Sequence, residues 1–92
     1  MSLYADRKYQ RTSEIVSADM DGETVIMSLE ANAYFGITGI GGRVWDMLEQ
    51  PQTIDALVEH ICLEFDVSRD ICRRDVTLLL LDLEEYGLVQ TV

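Results

Sequence analysis

One histidine, one proline, two cysteines and seven basic side chains are all that this chain of 92 residues holds of those types. With His60 alone, no paired-histidine metal motif can be built, and neither a Cys-x-x-Cys nor a phosphate-cradling Gly-rich loop is present. Gly39-Ile40-Gly41-Gly42 is the nearest approach to such a loop, but the lysine that should follow it is missing. On a helix His60 and Cys62 lie about 200° apart, too far round to share a metal without distortion. This inventory argues against an enzyme and assigns no catalytic residue, no metal and no cofactor. Long apolar runs are lacking too: no window reaches the roughly 18–20 residues of a membrane span, and Met1 to Gln10 has no signal-peptide core. A cytoplasmic location is expected, where Cys62 and Cys72 are reduced thiols packed in the core.

Basic charge is scarce and unevenly spread. Arg7, Lys8 and Arg11 against Asp6 leave residues 1–12 slightly positive, whereas the remainder sets Arg43, Arg69, Arg73 and Arg74 against 16 carboxylates. The net charge of -10 should repel a polyanion, so nucleic acid and anionic membrane are excluded as partners and the charge reads as a solubility device. A chain of this length with 48% hydrophobic residues suits one small domain. Residues 13–92 are expected to form it, behind a flexible segment 1–12.

The hydrophobic period changes once, from strand-like up to about Thr38 to helix-like from Ile40 onward. Asp21-Gly22 predicts a type I′ hairpin, because both central positions need positive φ. Pairing Met20 with Glu23 then sets Ala18 opposite Val25 and Val16 opposite Met27, so these four share a face with Leu29. Ile15, Ser17, Asp19, Thr24, Ile26 and Ser28 make the other face, read as half wet. A second turn at Ala31-Asn32 returns the chain as Ala33-Tyr34-Phe35-Gly36-Ile37, with Tyr34 beside Leu29 and Ile37 beside Ile26. The sheet order is 1-2-3, and the third strand is an edge without Lys, Pro or inward charge. Either a helix or the C-terminal tail covers that edge, or another strand docks there.

Three helices follow. Thr38 is expected to cap the first, whose stripe is Ile40, Val44, Trp45 and Leu48. Its three glycines weaken the first turn, so close packing must require them. Thr53 caps the second, with Ile54, Leu57, Val58, Ile61, Cys62 and Phe65 inward and His60 on the solvated side. Ser68 caps the third, and Gly87 ends it in the left-handed position. Cys72, Val76, Leu79, Leu80, Leu83 and Tyr86 account for its core stripe. Beside them runs a second strip, Ile71, Asp75, Leu78 and Asp82, with Leu81 farther round; exposed leucines on so acidic a domain suggest a partner surface. Leu88 to Val92 is a short strand or a tucked tail.

This is a winged-helix-like α+β pattern: a three-stranded antiparallel sheet, three helices, and a short C-terminal strand or tail. Tyr34-Phe35-Gly36-Ile37-Thr38 leading into Gly39-Ile40-Gly41-Gly42-Arg43-Val44-Trp45, together with Asp75-Val76, Leu79, Leu80, Leu83 and Gly87-Leu88-Val89, resembles the PqqD-like family. Members are the recognition domains for precursors of ribosomally made, modified peptides. The likeness is strongest to standalone members serving lasso peptide assembly. The resemblance implies a non-catalytic adaptor whose partner is a precursor leader peptide, added as an antiparallel strand at Ala33, Tyr34, Phe35, Gly36 and Ile37. On the third helix it implies contacts at Ile71, Arg74, Asp75, Leu78 and Asp82. The enzymes served would be a leader peptidase and a macrolactam-forming enzyme, or a radical-SAM protein in a PQQ-type pathway. The rival, a winged-helix DNA-binding protein, rests on Arg69, Arg73 and Arg74 alone, which sit among carboxylates.

Overall fold

A computed structural model describes residues 7–13, 15–30 and 32–92. Its elements are β1 (Lys8–Arg11), β2 (Ile15–Met20), β3 (Glu23–Ser28), β4 (Ala33–Thr38), α1 (Ile40–Met47), β5 (Gln52–Thr53), α2 (Ile54–Glu64), α3 (Arg69–Glu85) and β6 (Val89–Thr91). The architecture is α+β, with two antiparallel sheets ordered β2-β3-β4 and β5-β1-β6. Asp21 and Gly22 both take positive φ, and β2 pairs with β3 in the expected register, Met20 to Glu23 through Val16 to Met27.

Four expectations are corrected. Part of the segment read as flexible, Lys8–Arg11, is a strand: β1 is the middle of the second sheet, paired with both β5 and β6, and Tyr9 lies in the core. Asn32 does take positive φ, but the loop it closes is two residues longer than expected, so Tyr34 faces Met27 and Ile37 faces Thr24. The sheet is also turned over. Thr24, Ile26 and Ser28 are buried against the helices, whereas Val16, Met27 and Leu29 are exposed. Apolar count favours the other face, but α1 decides the matter by its close approach: a Cβ on Gly42 would stand 3.0 Å from the Thr24 hydroxyl, and one on Gly41 3.2 Å from Ile37. Only small facing groups admit a helix so near, and Thr24 keeps its hydroxyl satisfied by donating to Asp19. Finally, Gly39 rather than Thr38 caps α1, at φ 61 and with no side-chain bond.

The helices otherwise follow their stripes. The Thr53 hydroxyl accepts from the Ala56 amide, while Ser68 occupies the α3 N-cap without a side-chain bond. At the α3 C-terminus Leu88 N–H reaches Leu83 and Gly87 N–H reaches Glu84, the paired bonds of a Schellman motif, with Gly87 at φ 74. That turn buries Leu88 and sends β6 back to β1. Leu79 is only partly buried and Tyr86 is exposed, both short of the core position expected for them. Arg11 ties the second sheet to the helices: its guanidinium donates twice to the Trp45 carbonyl and lies 4.6 Å from the Trp45 ring centroid.

Candidate peptide-binding groove

Among the described residues β4 pairs with β3 alone, so its other edge carries unpaired main-chain groups. The C-terminal tail does not cover it, because β6 is committed to β1. Along this edge α3 runs back antiparallel to the strand. Phe35 meets Tyr86 near the helix end, with ring centroids 5.4 Å apart, while Thr38 shares a cavity with Ile71 and Asp75 near the helix start.

That cavity, about 350 Å³, is lined by Thr38, Ile40, Gly41, Val44, Val67 and Leu79, as well as Ile71, Cys72, Asp75 and Val76. Its walls are almost wholly apolar. The Cys72 thiol is held above its ordinary range first by burial and then by the neighbouring Cys62 thiol, so at neutral pH it serves as a wall and not as a nucleophile. Among the described residues no group of His, Cys, Asp and Glu could hold a metal.

Of the residues singled out in the sequence, Ile71 and Asp75 enter this cavity. Leu78 and Asp82 continue their strip along α3 and are exposed, Leu78 at 55%. Arg74 is exposed and paired to Asp75 at 3.5 Å. On β4, Tyr34 is 78% exposed, whereas Phe35 and Ile37 pack partly into the core. The Ala33 backbone pairs with Ser28. Sequence reasoning missed the contribution of α1 and of Val67. The available signal was the run Gly39, Gly41, Gly42: Gly41 has Ile37 and Leu79 within contact of its missing Cβ, which opens the cavity mouth between strand and helix.

At the other end of β4 a second hollow is lined by Ser28, Glu30, Glu85, Tyr86 and Gly87. The groove is thus apolar at the Thr38 end and acidic at the Glu30 end. His60, expected on the solvated side of α2, is there, its side chain 41% exposed, and it contacts Glu64 and Arg43. Arg43 donates to both Glu64 carboxylate oxygens and holds that acid below its usual range.

The profile of the family described as coenzyme PQQ synthesis protein D (PqqD) matches residues 23–89. The structure of TbiB1 in complex with the TbiA(beta) leader peptide is 32% identical in sequence, aligned over 88% of this chain and 94% of that one, with a TM-score of 0.80. A lasso peptide synthetase B1 complexed with its leader peptide shares the fold at a TM-score of 0.78, with 20% identity over 89% of this chain and 96% of that one. No curated protein sequence matches. A profile spanning most of the chain, and a solved relative similar along nearly its whole length, show that the chain belongs to the PqqD family.

Proposed function

We propose that this chain is a non-catalytic adaptor that binds the leader segment of a ribosomally made precursor peptide and presents the attached core to the enzymes that modify it. The observation that carries the reading is the unpaired β4 edge lying beside an apolar cavity and an exposed strip of α3. A leader adding there as an antiparallel strand would satisfy the edge N–H and C=O groups of Ala33 to Ile37. One large apolar side chain would fill the cavity between α1 and α3, and Ile71, Arg74, Asp75, Leu78 and Asp82 would select its neighbours. Antiparallel addition runs the leader from the apolar end of the groove towards Glu30 and Glu85, so its anchor should precede any basic residue. Two solved structures of the same fold that hold leader peptides support this reading.

Lasso peptide assembly, in the cytoplasm with a leader peptidase and a macrolactam-forming enzyme as partners, is the favoured setting, because one solved structure of the same fold is a lasso peptide synthetase B1 complexed with a leader peptide. The family profile itself favours a second setting, delivery of a precursor to a radical-SAM enzyme in a PQQ-type pathway. Both settings use the same groove. Amide hydrogen exchange with and without a precursor leader peptide tests it. Protection should rise at 33–37 and along 71–82; protection confined to α1 and α2 would overturn the proposal.

A further inference from the structure

The fold brings the chain's two cysteines together. Helix α2 ends at its C-cap Phe65 and α3 begins after its N-cap Ser68, so only Asp66 and Val67 separate the two caps. Cys62 lies three residues before that C-cap and Cys72 four residues after that N-cap, each about one helical turn from the connection. Both fall on the apolar stripes by which the helices pack. Cys72 is 4% exposed, and Cys62, half-buried, packs against the core that holds it. The Cys72 thiol is in hydrogen-bonding contact with Cys62.

The two sulfurs differ in access. Cys62 is partly open to solvent, whereas Cys72 is buried and lines the apolar cavity between α1 and α3. We infer that Cys62 and Cys72 form a reversible disulfide, made when a peroxide oxidises the more exposed thiol, and that the bond withdraws one wall of the cavity. In the first step the Cys62 sulfur attacks hydrogen peroxide. The O–O bond breaks, one oxygen stays on sulfur as a sulfenic acid, and the other leaves as water. In the second step the Cys72 sulfur displaces the sulfenic hydroxyl, which takes the Cys72 proton and leaves as a second water. The two thiols have then given two electrons to one peroxide, and a dithiol reductant returns them by exchange. Burial keeps the Cys72 thiol protonated and shields it from free oxidant, so the electrophile it meets is the sulfenic acid on its neighbour.

The consequence for peptide capture rests on the adaptor reading; the bond itself does not. Cys72 lines the cavity that would take the leader's apolar anchor. Sulfurs that only touch must draw closer to bond, so the Cys72 side chain turns from the cavity towards α2. The anchor then loses a contact about one methylene in size.

The test treats the full chain with hydrogen peroxide and then with dithiothreitol. Mass spectrometry should show the loss of two hydrogens and a Cys62–Cys72 crosslink within one chain, both reversed by the reductant. Cys72→Ala should gain oxygen on Cys62 instead, and Cys62→Ser should keep its mass. For a synthetic precursor leader that the reduced chain binds, affinity should fall about fourfold on oxidation and recover on reduction, with no change in Cys62→Ser. The inference falls if wild type gains oxygen without crosslinking, if the crosslink joins two chains, or if the crosslinked chain binds that leader as the reduced one does. If no leader binds the reduced chain the adaptor reading falls, and the crosslink alone then decides the inference.

Discussion

Single side chains set the stability of the fold and, on the adaptor reading, the selectivity of the groove. Arg11 shows why shape matters as well as charge: it forks onto the Trp45 carbonyl, covers the Trp45 ring and places a cation at the C-terminal end of α1. Arg11→Lys keeps the charge and loses the fork, so urea unfolding should show a loss of about 1 kcal/mol. On α3, neighbouring leucines stand in opposite environments. Leu80 is 1% exposed and Leu78 is 55% exposed. Leu80→Glu should prevent folding by burying a charge, whereas Leu78→Glu should leave the thermal midpoint nearly unchanged and weaken leader binding about tenfold. Equal destabilisation by the two changes would show that Leu78 faces the core. The strip that holds Leu78 was legible from helical phase alone, because 100° per residue separates it from Leu80 whatever the tertiary contacts. Val67 and Thr38, by contrast, carry no periodic signal; they enter the cavity only because α1 comes so close to the sheet.

At the scale of elements, legibility follows sequence distance. The β2-β3 register was readable because Asp21-Gly22 fixes it within two residues. The β4 register was not, because a loop closed by Asn32 admits two lengths and the alternation on both sides tolerates either. Strand β1 left no local trace: its partners β5 and β6 lie some 40 and 80 positions away, and Tyr9 is its one buried apolar residue. Which sheet face is buried depends on where α1 docks, a tertiary fact to which the glycine run was the only clue. The end of α3, however, was written in Gly87. Its φ of 74 is costly for any residue with a Cβ, so Gly87→Ala should lower stability by about 1 kcal/mol and loosen the β6 return that seats Leu88. Chemical denaturation measures the first effect, and hydrogen exchange at 89–91 the second.

Charge acts on the molecule as a whole, and it acts twice. Within the fold, Arg43 bonded to Glu64 joins α1 to α2 and holds the Glu64 carboxyl below its ordinary 4.5. A lowered folded value means stability that is full above pH 4.5 and is lost as the pH falls through the folded value. Glu64→Gln should therefore be less stable than wild type at neutral pH, with the gap closing under acid; a gap that widened would reverse the assigned shift. Outside the fold, charge bears on the rival reading as a DNA-binding protein. A helix-three DNA reader needs cations free to meet phosphate, and Arg69, Arg73 and Arg74 are the only candidates on α3. The structure removes two of them: Arg73 bonds Asp55 across to α2, and Arg74 pairs with Asp75. Any phosphate approaching the exposed face of that helix would also meet Asp70, Asp75 and Asp82. With a net charge of -10, counterion release cannot supply the non-specific affinity from which specific binding starts. The chain at micromolar concentration should leave duplex DNA unshifted in a gel at physiological salt. A retarded band that fades as salt rises would mean that α3 presents its arginines and hides its carboxylates, contrary to the ion pairs that hold them.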